Sequence, residues 1–329
     1  MEKDMFTLNV SFLVDSLLIF FSAFLIDVIF GEIPDRIHPT VWMGKVIAFL
    51  KPKIKSTNAR VEMANGALLG ISVILLFAVP AYLTVFLVQH FFGWLPYIIV
   101  SAVILKSSFS LKFMRKCTVP IADAIKQGDC NRARQFLPYI VRRDPATLSE
   151  RHIISAAVES IAESTTDGVT SPFFYFALFG VPGAVAYRVI NTLDSMVGYK
   201  DEEHRNIGWF SASLDTAANY LPARLTAILM TLSALILGEN WKGAQRILRR
   251  DKRNTASLNA GWTLAAMAGA LSVQLEKPGF YKLGDGEDLA PVHIIRALRI
   301  MMLTAVLFGV LVVFPIIFLK ALFLWQLVL

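Results

Sequence analysis

A segment that stays apolar for roughly twenty residues can cross a bilayer only if its own backbone satisfies every N–H and C=O group, which makes it a helix. Six runs in this sequence approach that length: Leu8 to Phe30, Gly66 to Phe92, Leu95 to Met114, Pro172 to Ile190, Tyr220 to Leu237 and Ile300 to Leu327. The last is the strongest. The first holds Asp15 and Asp27, and the third turns polar at Lys106-Ser107-Ser108. The fourth is interrupted by Gly180, Pro182 and Gly183, which predicts a broken or re-entrant helix of the kind tolerated where it lines a protein-walled cavity. No cleavage pattern follows the first run, so it is expected to be a retained helix.

Composition agrees with this reading. The 329 residues are 55% hydrophobic and 17% charged, where an ordinary soluble domain carries about 25% charged residues. A disulfide-stapled chain is excluded in the same way, and Cys117 and Cys130 are expected to be free thiols. The fold class expected is all-α: a polytopic integral membrane protein with about five or six membrane-embedded helices.

The 32 Lys and Arg exceed the 25 Asp and Glu, an excess read as topology rather than nucleic-acid binding. Segment 31–65 has six Lys/Arg, 106–171 has ten and 239–299 has ten, whereas 191–219 has two against five acids. The bias places the three basic segments in the cytoplasm. On this basis residues 1–329 form one membrane domain, with 106–171 a cytoplasmic helical hairpin insertion. Segment 239–299 is a second cytoplasmic or partly re-entrant segment, which requires either that Trp262 to Leu275 be buried or re-entrant or that 220–238 bend back.

Polar residues gather in three places. Glu159, Glu163 and Asp167 recur every four residues, on the helix face opposite the stripe Ile153, Ile154, Ala157, Val158 and Ile161. Such a row suits either a solvated face or a bound cation or ammonium. Asn191 and Asp194 share a face at i, i+3, followed by Lys200 and Arg205, a set with oxygen ligands for Mg²⁺ and cations for phosphate or carboxylate. Asp215, Asn219 and Arg224 lead into an apolar run, and ionisable groups at that depth point to function. Asp27 falls under the same argument, with Glu32, Arg36 and His38 just beyond it; His38 precedes Pro39 and is expected to be an extended, hydrogen-bonding residue. No P-loop, G-x-S-x-G, H-E-x-x-H or paired C-x-x-C motif occurs, which disfavours those nucleotide sites and hydrolases.

The stretch Ala157-Val158-Glu159 through Glu163, Asp167-Gly168 and Pro172, then Gly183 through Tyr187-Arg188, Asn191, Asp194 and Gly198-Tyr199, resembles the CobD/CbiB family. Gly208-Trp209, Leu214-Asp215, Asn219, Pro222, Arg224, Asn259 and Gly261-Trp262 extend the resemblance, as do Asp27, Gly31-Glu32, Pro34 and His38-Pro39. It covers roughly 27–300, and departs from the family pattern at Ser164 and at Arg142-Arg143-Asp144-Pro145.

The resemblance implies a carbon–nitrogen ligase, adenosylcobinamide-phosphate synthase. The enzyme would join the free carboxylate of adenosylcobyric acid to (R)-1-amino-2-propanol or its O-phosphate, with ATP as cosubstrate and Mg²⁺ as cofactor. Under that reading Glu159, Glu163, Asp167 and Asp194 serve catalysis, with Glu163, Asp167 and Asp194 as metal ligands. Arg188, Asn191, Lys200, Arg205, Asp215, Asn219, Arg224, Asp27 and His38 bind substrate. The site faces the cytoplasm from the cell membrane, and partners are the corrinoid, aminopropanol phosphate and membrane lipid. A homo-oligomer, or a complex with later cobamide-assembly enzymes, is compatible with it. Rival readings are a Mg²⁺-dependent membrane prenyl- or phospho-transferase, a transporter using Asp27 and the broken helix, or a non-catalytic subunit of a corrinoid-assembly complex.

Overall fold

Long apolar runs become helices in the computed structural model, which describes residues 2–141, 144–199, 201–286 and 288–326, with side chains from Val10 to Phe323. In chain order these are α1 (Glu2–Phe30), α2 (Pro39–Leu50), α3 (Ala59–Phe92), α4 (Trp94–Lys106), α5 (Lys112–Lys126), α6 (Cys130–Phe136), α7 (Glu150–Thr165), α8 (Ser171–Val197), α9 (Trp209–Ala218), α10 (Tyr220–Ile236), α11 (Trp241–Asp251) and α12 (Ala260–Leu271). A short antiparallel hairpin follows, β1 (Leu275–Lys277) and β2 (Tyr281–Leu283), and then α13 (Pro291–Phe308) and α14 (Phe314–Gln326). The protein is all-α apart from that hairpin.

Among the described residues four segments are long and apolar enough to cross a membrane: Val10–Phe30, Ala59–Phe92, Glu150–Val197 and Pro291–Phe323. Counting Trp209–Ala218 with Tyr220–Ile236 makes five. The sequence run from Leu95 to Met114 is not one helix, because α4 stops at Lys106 and α5 starts at Lys112. Only 6% of the most apolar window of α3 is buried, so Leu75, Leu76, Leu83, Phe86 and Leu87 face outward as a lipid-exposed helix requires. The break expected at 180–183 is present: Gly180 takes φ 68° inside α8, two residues before Pro182.

The helices divide into two compact units. One holds residues 1–110, 171–218 and 309–329. In it α1 packs on α4 and α14, and α3 packs on α8 and α9. Its centre is aromatic: the rings of Phe20 and Phe109 each meet Phe173 edge-on at 4.8 Å. Helices in lipid gain little from hydrophobic burial against one another, so close backbone approach matters more. Gly66 and Gly70 supply it, since a Cβ at Gly66 would overlap the Ile207 carbonyl and one at Gly70 the Phe210 ring.

The second unit holds residues 111–170 and 219–308. The segments read from sequence as two separate insertions therefore both contribute to it. Helix α7 is its core, packed by α5, α12, α13 and β1. Every residue from Ile153 to Ala162 is buried, so the solvated-face alternative fails for Glu159, whereas Glu163 is exposed. Helix α12 is buried from Thr263 to Leu271 and crosses α11 at the Gly243–Gly269 backbone contact. Asp251 closes the unit by accepting from Arg250 Nε (2.6 Å) and from the Gly284 N–H (2.8 Å). Neither Cys117 nor Cys130 is joined in a disulfide among the described residues.

Candidate functional site

The first unit buries a charged cluster where α1 and α4 end. Helix α4 is apolar from Trp94 to Leu105, and its last residue, Lys106, is 1% exposed. A lone ammonium there would cost several kcal/mol. The cost is offset by Asp27 Oδ1 at 3.0 Å, by Glu32 Oε1 at 3.1 Å and by the Phe109 carbonyl at 3.3 Å. Asp27 is itself fully buried, and Gly31, with φ 80°, turns the chain so that Glu32 comes back toward it.

His38 completes the cluster as the N-cap of α2, in the extended conformation expected before proline. Its Nδ1 accepts the Thr40 backbone N–H at 3.1 Å, so the ring proton of the neutral imidazole sits on Nε2 and is donated to Glu32 Oε1 at 2.7 Å. Burial pushes the Glu32 carboxyl up, but the His38 hydrogen bond and the Lys106 charge outweigh it and hold the group down at about 2.

A second polar row follows on the same unit. Arg188 Nε donates to the Ser108 carbonyl at 2.7 Å and its Nη1 to Asn191 Oδ1 at 3.0 Å, while Asn191 Nδ2 reaches Asp215 Oδ1 at 3.5 Å. Lys106 and Arg188 are thus both tied to the turn that follows α4. Asp194, one turn beyond, is half-buried, and a Cβ at residue 198 would overlap its carboxylate; Gly198 leaves that carboxylate its place.

Beside this row lies an open cavity of about 430 Å³ lined by Tyr199, Arg205, Trp209 and Thr216. Its rim loop is anchored to α2 and the residues just after it. Lys51 Nζ lies 2.6 Å from His204 Nε2, and Lys51 and Lys55 each reach Glu203 at 3.1 Å. These lysines hold the Glu203 carboxyl below its ordinary value. Lys200 lies outside the described residues, as do Arg142 and Arg143.

The acids of the second unit do not share one environment. Glu159 is 4% exposed and accepts from Ser155 Oγ (2.6 Å) and Tyr281 Oη (2.8 Å). Ser155 in turn accepts the Glu276 N–H at 2.8 Å, so Glu159 fastens the hairpin to α7. Glu163 is exposed, and Asp167 is half-buried within a π turn, Thr166–Thr170. Such turns are rare and often accompany functional sites. Asn219, the residue that precedes α10, is buried. Arg224 donates to Asn259 Oδ1 at 3.0 Å and stands over the Tyr220 ring at 3.4 Å and the Trp262 ring at 4.8 Å.

Among the described residues no group of three His, Cys, Asp or Glu side chains could hold a metal ion. The exposed and half-buried carboxylates still suit Mg²⁺, which takes one or two carboxylates and completes its shell with water and substrate phosphates.

Sequence reasoning left Lys106, Glu32 and Tyr281 out of the candidate set. Lys106 carried a signal, a lysine ending an apolar run. Tyr281 carried none, because its contact with Glu159 joins residues 122 apart.

A family model described as CobD/Cbib protein matches residues 20–301. A "Probable cobalamin biosynthesis protein CobD" of Methanothermobacter thermautotrophicus is 44% identical over 89% of this chain and 97% of its own length. A protein of that name from Thermoplasma volcanium is 41% identical over 94% of this chain and its full length. The "Cobalamin biosynthesis protein CobD" of Dehalococcoides mccartyi is 40% identical over 84% of this chain and 88% of its own. No solved structure matches.

Proposed function

Because this chain belongs to the CobD/Cbib family and is a cobalamin biosynthesis protein, we propose that it makes an amide from adenosylcobyric acid. The amine is (R)-1-amino-2-propanol O-phosphate, or aminopropanol itself, and ATP is consumed. The enzyme works as a multi-pass protein of the cell membrane with its site toward the cytoplasm.

The observation that carries this reading is the row Arg188–Asn191–Asp215 beside the Arg205-lined cavity. A phosphorylated amine bears an anion at one end and an ammonium at the other. A row that holds a guanidinium at one end and a carboxylate at the other, joined through Asn191, offers a counter-charge to both ends.

A carboxylate is a poor electrophile because its oxide leaves badly. Transfer of the ATP γ-phosphoryl group to the propionate gives an acyl phosphate and ADP. The amine, having lost its proton, attacks the acyl carbon, and phosphate departs as the amide forms. In this scheme Arg188 and Arg205 hold phosphate or carboxylate oxygens, and Asn191 orients Arg188 against Asp215.

Asp194, with its place kept by Gly198, takes the ammonium or serves Mg²⁺. On the second unit Glu163 and Asp167 are proposed as Mg²⁺ ligands in their own right, a pair of carboxylates whose ion would complete its shell with water and substrate phosphate. When bound, the ion neutralises triphosphate charge. Glu159 is satisfied by Ser155 and Tyr281 and acts as a positioning residue rather than a catalytic one. Arg224, Asn219, Asp27 and His38 are kept as substrate-side residues, the last two through the Lys106 cluster.

The test is purified protein in nanodiscs with adenosylcobyric acid, aminopropanol phosphate and Mg·ATP, followed by mass spectrometry. Adenosylcobinamide phosphate is expected only when ATP is present. Absence of product with both forms of the amine would overturn the reading.

A further inference from the structure

The second unit carries a groove of about 580 Å³ between α5, the end of α10 and α13 that the proposed chemistry does not use. Its walls are aliphatic: Ile236 is 56% exposed, Met302 38% and Val306 41%. The cations on it are Arg115 from α5 and Arg299 from α13, both exposed. Neither is in an ion pair among the described residues. Other arginines of the same unit are: Arg250 pairs with Asp251 and Asp285, and Arg296 with Glu239.

Position along α13 ties the two kinds of surface together. Arg299, Met302 and Val306 follow one another at i, i+3, i+7 and so share a helix face. They belong to the apolar segment Pro291–Phe323, whose continuous apolar run begins directly after Arg299. With that run in hydrocarbon, Arg299 stands at headgroup level and the aliphatic stripe descends from it. Arg115 also borders a shallow basic shelf with Lys112 and Lys116, so positive charge continues outward from the head of the groove.

We propose that this groove binds an anionic glycerophospholipid, its phosphate between Arg115 and Arg299 and one acyl chain along Met302 and Val306. The charge selects an anionic head and the aliphatic walls select a hydrocarbon tail. Their succession along one helix face requires both in one molecule. A soluble phosphate ester would leave the stripe uncovered, and a zwitterionic lipid would bring its own cation to the arginines. The site stands apart from the ligase reading and does not depend on it.

The full-length protein is delipidated in mild detergent and offered phosphatidylglycerol or phosphatidylcholine, and retained lipid is counted by native mass spectrometry. Retention of phosphatidylglycerol is expected to exceed that of phosphatidylcholine by about tenfold. The pair Arg115→Gln and Arg299→Gln should remove that preference, and Arg115→Lys with Arg299→Lys should keep most of it. Val306→Trp, which fills the groove and leaves both arginines in place, should lower retention of either lipid. Thermal unfolding of each variant verifies its fold. Equal retention of the two lipids by the unaltered protein, or full retention by the double glutamine variant, would overturn the proposal. Displacement of bound lipid by inorganic phosphate alone would also do so, by assigning the arginines to a soluble anion.

Discussion

Lys106 Nζ lies 3.0 Å from Asp27 Oδ1, and both side chains are shut away from solvent, at 1% and 0% exposure. Removing one partner leaves the other as an uncompensated buried charge. Lys106→Met is therefore expected to cost about 3–5 kcal/mol, and Lys106→Met combined with Asp27→Leu to recover much of that loss. Thermal unfolding of the single and double variants in the same detergent decides it; additive losses would show that the two charges are not coupled.

The same cluster fixes a pH dependence. The Glu32 carboxyl sits at about 2 against an ordinary value of 4.5, so the folded state favours its ionised form. Its contribution is complete above the ordinary value and is lost as pH falls toward the folded one. The stability gap between the unaltered protein and Glu32→Gln should stay flat from about pH 7 to 5 and narrow from about pH 4.5 downward. A gap that widens on acidification would contradict the geometry.

Glu159 and Glu163 stand four residues apart on one helix, yet their substitutions should read out differently. Glu159→Ala strips the acceptor from Ser155 and Tyr281 and should destabilise the protein by about 2–3 kcal/mol. Tyr281→Phe should cost about 1–1.5 kcal/mol at the same contact. Glu163→Ala, on an exposed side chain, should leave folding unchanged and abolish turnover, as should Asp194→Ala. Turnover with comparison of melting curves separates the two kinds of loss; near-normal turnover in Glu163→Ala and Asp194→Ala would remove them from the site.

Gly198→Ala tests how the Asp194 carboxylate is held. The added methyl must displace that carboxylate, since the space it would fill is already taken. With Asp194 still present, the variant is expected to lose at least about tenfold in turnover, equivalent to 1.4 kcal/mol in the barrier. Unchanged kinetics would show that the Asp194 position is unimportant to the reaction.

Gly66→Ala asks whether close helix approach holds the first unit. A Cβ there runs into the Ile207 carbonyl, and backbone cannot swing aside as a side chain can. A cost of about 1–3 kcal/mol is expected in thermal unfolding, with Leu68→Ala on the exposed face of α3 as a near-silent control.

What could be read in advance and what could not divide along a physical line. Solubility in lipid is a property of each segment taken alone, so the runs that became α1, α3, α8 and α13–α14 were visible as apolar stretches. So was the break at Gly180, because glycine and proline act on their own backbone. The polar row on α8 was legible for the same reason, since Arg188, Asn191 and Asp194 lie within two turns of one helix. A row of acids, by contrast, does not disclose which of its members is buried. Glu159 became a fastener and Glu163 stayed exposed because a hairpin 122 residues away delivers Tyr281 to one of them. Lys106 could be seen as an oddity at the end of an apolar run, but its partners, Asp27 and Glu32, come from the last turn of α1 and the chain just after it. A buried charge is tolerable only beside its counter-charge, and where that partner stands is decided by which helices pack together. Local chemistry therefore chose the helices of this protein, and tertiary packing chose which of its charges are buried in ion pairs and hydrogen bonds and which stay exposed.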